Sequence, residues 1–76
     1  MSDLQDQFGR AVRELREDRH WSQETLAEKA EINRSYLGEI ERATAVPSLA
    51  TMAKLAKALE IRLSALLARC ERELPS

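Results

Sequence analysis

Between Ser22 and Ile40, two short segments with helical apolar spacing meet across a few residues, Lys29-Ala30-Glu31-Ile32. The first carries Leu26, Ala27 and Ala30, and the second carries Leu37 and Ile40. So short a connection forces the two helices to cross steeply. A close crossing needs a small residue where the helices touch, which Ala27 supplies. Leu26, Ile32, Leu37 and Ile40 fill the space behind it, fixing the second helix with one face outward.

The rest of the chain also reads near a period of 3.6, with no alternating β-branched run. Phe8, Ala11, Val12 and Leu15 mark one face of a first helix over about residues 4–18. Ser22 and Asn33 are N-cap residues for the two crossing helices, and Glu24 sits favourably near a positive helix end. Pro47 stops the chain from continuing as helix, and Ser48 caps a fourth. The expected buried stripe of that helix is Leu49, Met52, Ala53, Ala56 and Leu59. A fifth helix, about residues 63–73, carries Leu63, Leu66, Leu67, Cys70 and Leu74. The expected fold is all-α, a compact five-helix bundle forming a single domain over residues 1–76.

Composition removes several functional classes. With 43% hydrophobic and 33% charged residues the chain is globular in type. Its longest purely apolar run, Ala65-Leu66-Leu67-Ala68, is far too short for a bilayer. The first thirty residues are rich in Asp, Glu and Arg and contain no signal-like apolar stretch. One cysteine and one histidine exclude a disulfide framework and an intrachain zinc site. The expectation is a cytoplasmic protein with no metal, cofactor or membrane attachment. The net charge of −1 is spread evenly, so nucleic-acid affinity would require basic residues gathered on one face.

The segment Ser22-Gln23-Glu24-Thr25-Leu26-Ala27-Glu28-Lys29-Ala30, then Asn33-Arg34-Ser35-Tyr36-Leu37 and Glu39-Ile40-Glu41-Arg42, resembles the phage Cro and repressor-type (XRE-like) helix-turn-helix family. The resemblance continues through Pro47-Ser48-Leu49 to Ala58-Leu59 and covers roughly residues 8–68. Its length and the Arg34-Ser35-Tyr36-Leu37 opening also resemble restriction–modification controller proteins. It implies a lambda-repressor-like domain with the helix-turn-helix at about residues 22–42, binding double-stranded DNA as a transcriptional regulator. Position by position, Gln23 corresponds to a phosphate contact at a helix N-terminus. Asn33, Arg34, Ser35 and Glu39 correspond to residues facing the major groove, and Tyr36 is placed to reach a phosphate or sugar. Arg42, Ala43 and Thr44 fall in the loop that follows the backbone in relatives. Arg16 and Glu41 match a structural ion pair between the first and third helices.

The departures are also informative. His20, Glu31, Ala43 and Glu60 stand where the family often has glycine, at sites that favour left-handed backbone. Arg62 occupies an N-cap position without a capping side chain. Glu39 brings a carboxylate to the groove, where it repels phosphate but accepts a hydrogen bond from cytosine N4. Gly38, in mid-helix, fits either close approach to DNA or simple tolerance.

Other features have plainer readings. Trp21 closes the core beneath the second helix. His20 with Asp18 and Ser22 has the residue types of a hydrolase triad but no matching geometry or oxyanion site, so no enzyme is expected. Leu67, Cys70 and Leu74 form an apolar stripe expected to pair two chains into a homodimer on a pseudo-palindromic operator; the alternative is that they cover the first helix near Leu4 and Phe8. Two rival functions remain at this level. One is an antitoxin-like regulator that also grips a protein partner such as a toxin. The other is a protein-interaction domain that has lost DNA.

Overall fold

Five α-helices follow one another in the computed structural model, which describes residues 3–72. They are α1 (Leu4–Asp18), α2 (Gln23–Ala30), α3 (Arg34–Glu41), α4 (Leu49–Ala58) and α5 (Leu63–Arg72). Side chains start the first four. Asp3 accepts from the Asp6 N–H at 2.9 Å, Ser22 from Thr25 at 3.1 Å, Asn33 from Ser35 at 2.7 Å and Ser48 from Thr51 at 3.1 Å. Each such cap contributes about 1 kcal/mol. Arg62, before α5, has only donors and cannot do the same.

The stops are as regular as the starts. His20, Glu31, Ala43 and Glu60 all adopt left-handed backbone, with φ between 57° and 60°. After each, the next N–H returns to a carbonyl five residues back: Trp21 to Arg16, Ile32 to Ala27, Thr44 to Glu39 and Ile61 to Ala56. This closure satisfies carbonyls that a helix end leaves orphaned. The four family glycine sites are therefore kept in conformation without glycine, at about 1–2 kcal/mol each. Trp21, Ile32 and Ile61 offset part of that cost by packing against the core. Trp21 also lies under the Lys29 ammonium, 4.9 Å from its ring centre.

The core joins Phe8, Val12 and Leu15 of α1 to Leu26, Leu37, Ile40, Leu55, Leu59 and Leu66 from the other helices. α1 packs on α3 and α5, and α2 packs on α3 and α4. Gly9 sets the approach of α1 to α3, since a Cβ there would overlap the Ile40 and Glu41 carbonyl oxygens. On α4 the observed stripe is rotated from the expected one. Leu55, Ala56 and Leu59 are buried and Met52 is half-buried, whereas Leu49 and Ala53 face outward. α4 is apolar around most of its circumference, so spacing alone did not select the inner face.

Candidate nucleic-acid interface

The outward face of α3 depends on one carboxylate beneath it. Glu41, with its side chain 3% exposed, accepts from Arg16 Nε at 2.8 Å and Nη2 at 3.0 Å. Arg16 also donates to the Trp21 carbonyl at 2.8 Å, just ahead of α2. Gln23, the first residue of α2, donates its amide Nε2 to Glu41 at 3.1 Å. A single anion thus binds α1, α2 and α3 together, fixing the angle at which α3 is presented. The Glu41 hydrogen bonds hold the Arg16 guanidinium above its usual pKa, with burial opposing them. The expected Arg16–Glu41 pair is present; the tie from Gln23 was not foreseen.

Above this network, Gln23, Arg34, Ser35, Gly38, Glu39 and Arg42 line an open hollow between α2 and α3. Arg34, Ser35, Glu39 and Arg42 are exposed and Gln23 is half-buried. Because Gln23 turns its nitrogen to Glu41, its oxygen faces Gly38, and a Cβ at Gly38 would lie 3.7 Å from it. That Cβ would also stand 3.0 Å from the Arg42 guanidinium, so glycine here makes room for Arg42 to fold back over α3.

The remaining candidates stand at the two ends of α3. Asn33 uses its carbonyl oxygen as the N-cap and keeps its amide hydrogens as outward donors. The Tyr36 ring is half-buried against the core. The Thr44 hydroxyl donates to the Glu39 carbonyl at 3.2 Å, closing the C-terminus of α3 and leaving its oxygen as an acceptor.

The expected α5 stripe does not survive as a single surface. Cys70 is 0% exposed, its thiol on the Leu66 carbonyl at 3.2 Å, so it belongs to the monomer core and has no area for a second chain. α1 packs over α5 here, and an Arg69–Glu14 pair bridges the two helices. Leu74 lies outside the described residues. Leu67 is half-buried on the rim of an apolar hollow of about 380 Å³, shared with Leu4, Phe8, Val46, Pro47 and Met52. Leu4, Val46 and Leu49 are 50%, 73% and 65% exposed. The alternative expectation, that the stripe covers α1 near Leu4 and Phe8, fits Cys70 and Leu67; the contributions of Val46, Pro47 and Met52 were missed because no single periodicity joins them to α5.

Five helices with a steeply joined second and third, and the third facing outward, define a helix-turn-helix domain of repressor type. The helix-turn-helix family model matches residues 12–66, and the chain belongs to that family. It is 45% identical over 58 residues to an immunity repressor protein of Bacillus phage phi105, covering 76% of this chain and 40% of the repressor. It is 32% identical over 74 residues to the control protein C.MunI of a Mycoplasma species, covering 96% of this chain and 100% of that protein. The crystal structure of the restriction–modification controller protein C.AhdI from Aeromonas hydrophila superposes with a TM-score of 0.78 at 44% identity, covering 80% of this chain and 92% of that one. The chain spans about two-fifths of the length of the phage repressor and of another curated relative, a helix-turn-helix transcriptional regulator of Escherichia coli. Among the described residues no helix is long and apolar enough to cross a membrane.

Proposed function

We propose that this chain is a sequence-specific DNA-binding transcriptional regulator that acts as a homodimer on a pseudo-palindromic operator. The observation that carries the reading is the outward polar face of α3, held at a fixed angle by the Arg16–Glu41–Gln23 network. Arg34, at the start of α3, reads a base edge, guanine being the usual partner of arginine in the major groove. Asn33, Ser35 and Glu39 contact the same groove, with Glu39 accepting from a cytosine amine. Gln23, Arg42, Tyr36 and Thr44 meet the sugar-phosphate backbone, which sets position rather than sequence.

The second copy docks on the apolar surface around Val46, Leu49, Met52 and Leu67. The one polar lining residue of that hollow, Gln5, already donates to the Ala43 carbonyl at 2.8 Å, so the surface presents almost no polarity to a partner. A chain of this size gains from such burial, because its own core is small. The two α3 helices then lie one turn of DNA apart, about 34–36 Å.

Selection from a random duplex library tests the reading. Enrichment of one sequence with two-fold-related halves is expected, together with tighter binding to it than to a scrambled duplex of equal length. Equal affinity for both duplexes would overturn sequence-specific regulation.

A further inference from the structure

The hollow above α3 is one of three that run together across the molecule. Gln23 and Arg42 also line the next hollow, with Arg13, Arg16 and Glu41. Arg13 and Arg42 continue into a third, with Asp6, Arg10 and Ala43. The result is a strip leading from the reading face of α3 onto the outer face of α1, with Arg34, Arg42, Arg13 and Arg10 along it.

Four of the other basic side chains are committed within the fold, and Lys54, Lys57 and Arg62 are exposed outside these three hollows. Arg19 donates to the Leu15 and Leu59 carbonyls, Arg69 pairs with Glu14, Lys29 covers Trp21, and Arg16 is held by Glu41. Arg10 is exposed and forms no ion pair among the described residues. Arg13 pairs only with Glu17, at 3.3 Å, and both side chains are more than half exposed. Such a pair is weak and easily exchanged for a stronger anion.

Of the acids on the strip, Glu41 is neutralised within the fold, while Glu39 at one end and Asp6 at the other form no ion pair among the described residues. The carboxylate of Glu41 is taken up by Arg16 and Gln23, and Asp6 accepts from the Asp3 N–H in the first turn of α1. A chain with net charge −1 must gather positive charge locally to hold DNA, and four arginines lie along this one strip.

We propose that Arg10 and Arg13 bind the sugar-phosphate backbone of duplex DNA beside the segment held by Gln23 and Arg42, making α1 a phosphate-contacting helix in its own right. This rests on the reading of the chain as a DNA-binding regulator.

The test is a salt titration on two probes, a duplex selected from a random library and a scrambled duplex of the same length. Arg10→Gln and Arg13→Gln should each weaken binding to both probes by the same factor. Each should also lower the slope of log K against log salt by about 0.9, the value for one lost phosphate contact. Arg69→Gln makes the same charge change on α5 and should leave the slope unaltered. Glu17→Gln frees Arg13 and should tighten both probes more than Glu60→Gln, which removes an equal charge outside the strip. Thermal melts of each variant establish that the fold is intact. Equal slopes for the α1 variants and Arg69→Gln would overturn the proposal while leaving the regulator reading in place. A wild type that binds neither probe at any salt concentration would overturn both.

Discussion

At the α2–α3 end of the molecule, several outward polar side chains are tied to the fold as well as open to a ligand. Asn33 caps α3, Thr44 closes it, and Gln23 leans on a buried carboxylate. Around Val46 the situation is reversed: Leu4, Val46 and Leu49 stand in water, and the first two line a hollow that is almost wholly apolar. The first surface takes its shape within one chain, so DNA need not pay to order it. The second leaves apolar side chains in water, which the proposed dimer would cover with a second copy. Substitutions at the two should fail differently, the first through the fold and the second through assembly.

The largest effect is expected at Glu41. Glu41→Ala leaves the largely buried Arg16 guanidinium without its anion and unties Gln23 from α3. Breaking a buried pair from one side costs about 3–5 kcal/mol, which urea unfolding would register directly. A loss under about 1 kcal/mol would mean that the angle of α3 is set by apolar packing alone.

A charge on the open surface should separate assembly from folding. In a single chain Val46→Asp alters an exposed loop side chain, and such changes usually stay within about 0.5 kcal/mol. In the dimer it buries a carboxylate against apolar groups. Light scattering should show dissociation at a protein concentration where the wild type is dimeric, with helical content unchanged. A wild type that stays monomeric at high concentration, or a variant that remains dimeric, would remove this surface from the account.

Cys70 gives the smallest and sharpest contrast, because it borders the open surface in sequence but belongs to the closed core. Burial pushes its thiol pKa above the ordinary 9.0, so the folded protein keeps it protonated at neutral pH. Above pH 9.0 the unfolded chain ionises first, and this residue's contribution to stability declines as pH rises toward the higher folded value. Alkylation by iodoacetamide should follow unfolding equally in the wild type and in Val46→Asp. A thiol that became reactive on dissociation alone would return Cys70 to the interface.

The two regions were also unequally legible in the sequence. The α2–α3 unit is local, so caps at Ser22 and Asn33 and the small Ala27 could be read from neighbours in the chain, and the left-handed Glu31 through resemblance. Even the Arg16–Glu41 pair was reachable, through resemblance. The Gln23 tie and the room that Gly38 leaves for Arg42 were not, because both depend on where side chains meet between helices. The apolar surface was misread for the same reason. Its residues lie on four separate stretches of chain, while Cys70 and Leu67, neighbours on one helical stripe, part company once α1 packs over α5. Leu49 and Ala53 fit a helical stripe as well as Leu55 does, and only the tertiary fold separates them.

The most direct test of the central claim compares the base preferences of the wild type and Arg34→Ala, by selection and then by titration on single-base variants of the recovered duplex. The account predicts a loss of about 1–3 kcal/mol on the preferred site and relaxed discrimination at one base position in each half-site. Arg42→Ala, acting through phosphate, should weaken all these duplexes alike and relax none. If Arg34→Ala folded normally and kept both the affinity and the base preferences of the wild type, α3 would not be reading DNA through this face.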